Sequence, residues 1–292
     1  MLTLIIFIFI FFLFTFFIFT SIDAHVFIYG GCSQDKYPPN SPYEANKNSF
    51  LSSIAAASSL ALYHDFAVGN DTAAPVFGLH QCRGDLSPRD CAACIAGAIN
   101  QIAVLCPDTY GASLQLDACF LRYERADFLG RLDAGLRYRR CGGADGDAEF
   151  WRRRDGVLAE LEAAAGFRVS AAGDVEGYAQ CLGDLAAEDC SACLAEAVAK
   201  VKTLCGAAAA AAADVFLAQC YVRYWESGYY DSSSSDSSNG DDVGETVAII
   251  VGVVAGVAVL IVFLSFCRKA LGNYLIYFLI PSTLSILYIY NL

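Results

Sequence analysis

The chain carries one cysteine pattern twice, and that repeat limits its possible folds more than any other feature. Residues 81–99 read QCRGDLSPRDCAACIAGAI and residues 180–198 read QCLGDLAAEDCSACLAEAV, with eleven of nineteen positions identical at an offset of 99. Further cysteines flank each stretch. The first set is Cys32, Cys82, Cys91, Cys94, Cys106 and Cys119; the second is Cys141, Cys181, Cys190, Cys193, Cys205 and Cys220. Successive gaps are 50, 9, 3, 12, 13 and then 40, 9, 3, 12, 15. Two sets of six in register mean a duplicated domain.

Cysteines at this spacing serve a metal, a redox dithiol or a disulfide framework. Zinc needs four thiolate or imidazole ligands around one point. The chain has three histidines (His25, His64, His80), none at matching positions of the two repeats, and no second CxxC within either one. No metal and no cofactor are expected. A thioredoxin-like dithiol belongs in a reducing compartment, whereas this chain is marked for export. Residues 2–20 are almost unbroken Leu, Ile and Phe, followed by SIDAH. That reads as a signal peptide over residues 1–24, cut after Ala24. Exported cysteines in even sets become disulfides. Six cysteines allow fifteen pairings, and the residues alone leave the choice open. Cys91 and Cys94 lie one helical turn apart, so each is expected to reach outward to a different partner.

A second apolar run, residues 246–267, holds 22 residues without a charge. That length spans a bilayer core as a helix. Arg268 and Lys269 follow it, while Asp241, Asp242 and Glu245 precede it. The positive-inside rule puts the repeats outside the cell. The expected layout is therefore a signal peptide, domains at 25–133 and 134–230, an acidic Ser-rich stalk at 231–245, one transmembrane helix at 246–267 and an apolar cytosolic tail at 268–292. Between residues 25 and 245, 17 Lys and Arg face 30 Asp and Glu. Such an acidic ectodomain repels phosphate backbones, which excludes nucleic acid as a partner. Nine arginines between Arg122 and Arg154 are the local exception. They read as a salt-bridged face, or as a docking strip for an acidic polymer or protein.

Periodicity gives each repeat one plan. Residues 48–66 read as a helix with Leu51, Ile54, Ala55 and Ser58 on one face, and residues 74–86 read as a strand. Ser87, Pro88 and Asp90 open a second helix that buries Cys91, Cys94, Ile95, Ala98, Ile102 and Leu105. Residues 111–125 alternate as one or two strands. In the second repeat the corresponding segments are a helix over 147–167 with Trp151, Leu158, Leu161 and Ala165 on one side, a strand from 175, a helix to 205, and a closing strand from 214. The alanine run at 206–213 is expected to be a loop without function. The fold class is α+β: two tandem disulfide-stapled domains, each a helix pair packed on an antiparallel sheet, plus one transmembrane helix.

The C-x8-C-x2-C core, the gap before it and CFLRYE at 119–124 resemble the plant ginkbilobin-homologous, or stress-antifungal, cysteine-rich domain. Two such domains, a short stalk, one span and no kinase signature after Lys269 resemble the plasmodesmata-located protein family. The resemblance covers residues 25 to about 268. It implies the pairs Cys32–Cys106, Cys82–Cys91 and Cys94–Cys119, and likewise Cys141–Cys205, Cys181–Cys190 and Cys193–Cys220. It also implies a place in the plasma membrane at plasmodesmata, restriction of traffic between cells through callose, a role in immunity, and docking of viral movement proteins. The family's antifungal relative holds mannose with an Asn, an Arg and a Glu. The matching positions are read as Ser33, Ser113 and Glu124, and in the second repeat as Gly142, Ala212 and Trp225. Only Glu124 keeps its residue type, so it alone is a carbohydrate-binding candidate; otherwise it pairs with Arg122 or Arg125.

No Ser/His/Asp or Cys/His set recurs between the repeats, so an enzyme is not expected. The leading reading is a non-enzymatic membrane protein that regulates cell-to-cell traffic. The alternatives are a membrane-tethered carbohydrate-binding defence lectin and a kinase-less receptor ectodomain. Cell-wall polysaccharide or apoplastic and membrane proteins are the expected partners. Ala248, Gly252 and Gly256 form a small-residue stripe for self-association of the span. Asn70, in NDT, is a glycosylation sequon, and Cys267, the odd thiol at the membrane edge, is a lipidation candidate.

Overall fold

The computed structural model describes residues 25–69, 73–143, 147–205 and 210–229. Each repeat forms a five-stranded antiparallel sheet with two helices on one face. The first contains β1 (Phe27–Cys32), α1 (Pro42–Ala57), β2 (Tyr63–Val68), β3 (Val76–Cys82), α2 (Pro88–Leu105), β4 (Gly111–Leu116) and β5 (Cys119–Glu124). The second contains β6 (Leu136–Gly142), α3 (Ala148–Glu162), β7 (Arg168–Ala172), β8 (Val175–Cys181), α4 (Ala187–Leu204), β9 (Ala212–Leu217) and β10 (Cys220–Glu226). Strand orders correspond: β1-β4-β5-β3-β2 and β6-β9-β10-β8-β7.

Local chemistry sets the helix starts. Ser41 accepts from the Glu44 amide and Ser87 from the Asp90 amide, each with a proline in the first turn. Asp147 accepts from the Phe150 amide at 2.8 Å. Each cap satisfies an amide that the helix leaves orphaned. Disulfides then tie one helix of each repeat to three strands. On α2 and its cap, Cys91 bonds Cys82, Cys94 bonds Cys119 and Cys106 bonds Cys32. On α4 and its cap, Cys190 bonds Cys181, Cys193 bonds Cys220 and Cys205 bonds Cys141. Cys94, Ile95, Ala98 and Ile102 fill the first core; Cys193, Leu194, Ala197 and Val201 fill the second.

Several expectations from periodicity need correction. The helix expected over 48–66 begins earlier and stops at Ala57, because Tyr63–Val68 pairs with β3 instead. The helix expected to run to 167 stops at Glu162, and Gly166, at φ +128°, lies beyond it. Strands β1, β2, β6 and β7 were not expected. The buried face of α1 is Tyr43, Phe50, Ile54 and Ala57, while Ala55 is exposed. Phe150 and Val157 are buried on α3, whereas Ala165 is exposed. Leu105 ends α2 at 44% exposure. The end of the alanine run is no loop: Ala212 and Ala213 start β9 and are buried.

The two repeats pack through the segment they share. Gln180 Nε2 donates to the Cys82 carbonyl at 3.0 Å, and the Gly183 amide donates to Gln81 Oε1 at 3.0 Å. A Cβ on Gly84 would lie 2.5 Å from Phe167 of the second repeat. Reciprocally, a Cβ on Gly183 would lie 2.6 Å from the Tyr63 ring of the first. Equivalent tyrosines also meet, Tyr29 stacking on Tyr138 at 6.4 Å between ring centroids. Leu79, Phe120 and Leu182 form a small apolar core across the junction. The constant Gln and Gly of the repeat are thus interface residues. Gly183→Val is expected to cost about 1–3 kcal/mol by overpacking and to loosen the junction. Faster protease cleavage between residues 125 and 135, with a lowered melting temperature, is the check; unchanged cleavage would refute the assignment.

Asp184, also in the shared segment, clamps the connection between the repeats. Its Oδ2 accepts from the Gly130 amide and from Gln219 Nε2, both at 3.1 Å. Its buried Oδ1 has no hydrogen-bond partner. Burial raises its pKa, against lowering contributions from the Gly130 amide, its own amide, Gln219 and Arg122. The folded state therefore holds this proton more tightly than the unfolded chain, whose carboxyl titrates near pH ~3.9. Ionisation from that pH upward through the folded value costs stability, and below it the cost vanishes. Urea unfolding of Asp184→Asn across pH 4 to 7 should show less loss of stability with rising pH than wild type. Parallel profiles would count against this role.

Candidate ligand-binding cleft

Residues directly opposite one another on antiparallel strands share a face of the sheet. On the helix-free face of the first repeat, Gly31, Ser113, Arg122 and Leu79 make one cross-strand row. Tyr29, Gln115, Phe120 and Gln81 make the next. The side chains absent at Gly31 and shortened at Ser113 leave a hollow over β1 and β4. A cleft of about 310 Å³ lies here, bounded by Ser33, Phe120, Arg122 and Glu124 and, from the second repeat, by Arg137. It adjoins a second hollow of about 380 Å³ that shares Ser33, Gly111 and Glu124 and adds Lys36 and Arg125.

The charges in the cleft are oriented. Arg122 directs Nε and Nη2 at one oxygen, Oε1 of Glu124, at 3.0 and 2.7 Å. Its guanidinium lies 3.9 Å from the Phe128 ring centroid, a favourable cation–π geometry. Arg137 Nη2 is held by Asp133 Oδ2 at 2.5 Å, and Arg125 covers the Tyr110 ring. Burial pushes the Tyr29 phenol well above its ordinary range, so it stays a neutral hydroxyl.

The second repeat closes the same place. Its equivalent row is Arg140, Asp214, Arg223 and Tyr178. Arg223 Nε donates to Asp214 Oδ1 at 2.6 Å and Nη1 to the Tyr178 hydroxyl at 2.5 Å. Tyr229 caps the edge: a Cβ on Gly142 would lie 1.7 Å from its oxygen. Two arginines at one structural position are thus each paired with a carboxylate, Arg122 with the half-exposed Glu124 along its own strand beside the cleft and Arg223 with the buried Asp214 on the neighbouring strand.

The structure brings Ser33, Ser113 and Glu124 together in the cleft and pairs Glu124 with Arg122. The counterpart of Ser113 is Asp214, not Ala212. The interval between the fifth and sixth cysteines is two residues longer in the second repeat, and the excess lies before β9, so counting forward from Cys205 stops short. Ala212 instead opposes Trp225. The arginine strip divides: Arg122, Arg125 and Arg137 face the two hollows, while Arg152, Arg153 and Arg154 pair with Glu149, Asp174 and Asp155. Sequence reasoning missed Arg122 and Arg137 as cleft residues, although the Arg-Tyr pair recurs at 122–123 and 223–224. Asn70, Ala248, Gly252, Gly256 and Cys267 lie outside the described residues. Among the described residues, no His, Cys, Asp and Glu cluster suits a metal, and no helix is long and apolar enough to cross a membrane.

The salt stress response/antifungal family model matches residues 31–126 and 140–227, one match per sheet. Plasmodesmata-located protein 8 of Arabidopsis thaliana is 56% identical over 257 residues, 85% of this chain and 91% of that protein. The chain belongs to the plasmodesmata-located protein family. Plasmodesmata-located protein 6 of Arabidopsis thaliana, at 43% identity, aligns with 86% of this chain and 91% of its own length. The solved tandem DUF26 ectodomain of the Arabidopsis thaliana cysteine-rich receptor-like protein PDLP8 is matched over its whole length and 70% of this chain, with a TM-score of 0.67 and 56% identity. The corresponding PDLP5 ectodomain gives a TM-score of 0.66 at 35% identity, over 69% of this chain and all of its own. Membership in this family carries the tandem, receptor-like architecture of the two domains.

Proposed function

We propose that this chain is a non-enzymatic type I membrane protein of plasmodesmata that restricts molecular traffic between cells. The observation that carries the reading is the 257-residue alignment at 56% identity with a plasmodesmata-located protein, which extends past the two matched domains. The stapled repeats supply a rigid platform outside the cell. The span at 246–267 holds it in the membrane, and lateral packing through Ala248, Gly252 and Gly256 clusters it. Clustered ectodomains engage wall or membrane partners through many weak contacts that add by effective concentration. Callose deposition, immunity and docking of viral movement proteins belong to the same reading. Glycosylation of Asn70 accompanies export, and acylation of Cys267 would hold the span's inner end at the membrane.

A fluorescent fusion expressed in plant cells tests this directly. Puncta at walls between neighbouring cells, and slower spread of a free fluorescent protein from cell to cell, are expected. Uniform plasma-membrane signal with unaltered spread would refute the reading.

A further inference from the structure

The turn between β4 and β5 holds a carboxylate oxygen that no donor reaches. Asp117 is fixed there by its own amide, which donates to the Val26 carbonyl at 2.9 Å. Its Oδ1 is buried and has no hydrogen-bond partner. Nδ1 of His25 stands 3.8 Å from that oxygen, beyond hydrogen-bond reach. Arg83, also beside the turn, is engaged elsewhere. Its Nε donates to Asp85 Oδ1 at 2.7 Å, and its Nη1 reaches the Asp117 carbonyl, not the side chain, at 3.5 Å. A buried carboxylate oxygen without a donor is costly, and a positive donor against it removes that cost.

The second repeat supplies the comparison. Counted back from Cys119 and Cys220, the place of Asp117 is taken by Ala218. Counted back from the paired Tyr29 and Tyr138, the place of His25 is taken by Ala134. There the chain runs into β6 without a break, and the Asp133 amide donates to Gln219 Oε1 at 2.6 Å. The carboxylate therefore occurs in the repeat whose sequence calls for a chain end, and not in the one entered by continuous chain. Packing does little to hold the start of β1, an edge strand on which Val26 and Phe27 are 62% and 51% exposed.

We infer that Asp117 is the seat of the chain's own mature N-terminus: the α-ammonium that signal removal creates on His25 pairs with Asp117 Oδ1 and fastens the start of β1. Hydrolysis of the Ala24–His25 peptide bond consumes one water. The oxygen of that water goes to the Ala24 carboxylate, which leaves with the signal peptide. Both hydrogens go to the His25 nitrogen, which changes from a neutral amide into an ammonium with three donors. The new charge thus arises on the residue that already lies against the carboxylate. Charge-assisted bonds of this kind are shorter and stronger than neutral ones. The strand so fastened carries Cys32 of the Cys32–Cys106 bond and stacks Tyr29 on Tyr138 across the junction. The inference rests on export and on the cut after Ala24, and is indifferent to plasmodesmal targeting.

The test compares two forms of the full chain in detergent micelles. One has its native start, and the other carries a short Gly-Ser leader inserted between Ala24 and His25; each is made with and without Asp117→Asn. N-terminal sequencing should find His25 first in the native form. The leader should lower the melting temperature by about 2–4 °C and speed amide exchange of residues 26–31. In Asp117→Asn it should do neither. An unpaired α-amino group titrates near pH ~7.7–8.0. Pairing raises that value, so the added stability is full below the unfolded value and is lost as pH rises through the folded one. Between about pH 7 and 9.5 the native form should therefore lose more melting temperature than the leader form. The groups facing the pair are the His25 imidazole, Arg83 with its partner Asp85, and Tyr221 of the second repeat; the leader leaves all of them in place. A native start other than His25, a leader without effect, parallel pH profiles, or a leader effect undiminished in Asp117→Asn would each overturn the inference. Imaging and diffusion between cells decide the trafficking reading separately.

Discussion

Asp214→Ala should lower the melting temperature sharply, because Asp214 is a buried carboxylate on the helix-free face of the second sheet. It leaves Arg223 in a site where the guanidinium side chain is 9% exposed and its ion-pair partner has gone. Removing one member of a buried pair typically costs about 3–5 kcal/mol, because the remaining charge is neither solvated nor compensated. For a chain of this size each kcal/mol corresponds to about 2–4 °C, which puts the expected drop at about 6–20 °C. The Tyr178 hydroxyl still accepts one bond, which places the result toward the lower part of that interval. Exchanging both members, Asp214→Ala with Arg223→Met, should recover most of the loss, since an apolar replacement of a buried pair is often neutral. Thermal unfolding of the single and double variants decides the matter. A double variant no better than the single would mean that the arginine's packing, not its charge, is what matters.

Replacing Cys94 and Cys119 together by alanine should unfold or nearly unfold the first repeat. The bond ties the centre of α2 to the start of β5, and both sulfurs lie in the core. Its 25-residue separation corresponds to about 3.5 kcal/mol of chain entropy, within a usual range of about 2–5 for a native disulfide. Set against about 5–15 kcal/mol for a whole domain, that is a large share. Removing Cys82 and Cys91, which close a separation of nine, should cost less. Secreted yield and the midpoint of denaturant unfolding measure both. Equal effects would show that core packing at the sulfurs outweighs loop closure.

What could be read in advance follows from where the information sits. The capped start of α2 at Ser87, Pro88 and Asp90 is local chemistry, and the structure has it there. The helix end near residue 57 was not legible, because Leu62 and Phe66 continue at i+4 the face that carries Ser58, while the strand partner of Phe66, Gly78, lies on β3. Edge strands β1 and β6 escaped for a similar reason: their pairing residues on β4 and β9 are distant in sequence. Disulfide connectivity was a choice among fifteen that spacing could not make. In the cleft, Glu124 and Ser33 were found by counting from cysteines. Arg137 was not, because its contribution depends on how one repeat packs against the other. The same counting misplaced Asp214, since it carries no knowledge of where two extra residues are absorbed.

The contact between the repeats has a historical implication. Gln81 and Gln180, Gly84 and Gly183, and Tyr29 and Tyr138 are counterparts, and each pair contributes to both sides of one junction. A patch that meets its own copy is the geometry of a two-fold dimer of identical subunits. A single-repeat ancestor bearing that patch would already have been able to pair. Joining two such copies in one chain turns a concentration-dependent encounter into a tethered one, at an effective concentration in the millimolar range for a short connection. Two tethered copies need not carry the same surface away from that junction. One could keep its hollow over Arg122 open to solvent. The other was free to seal its own with Asp214 and Tyr229, and to become the foundation on which its twin is presented.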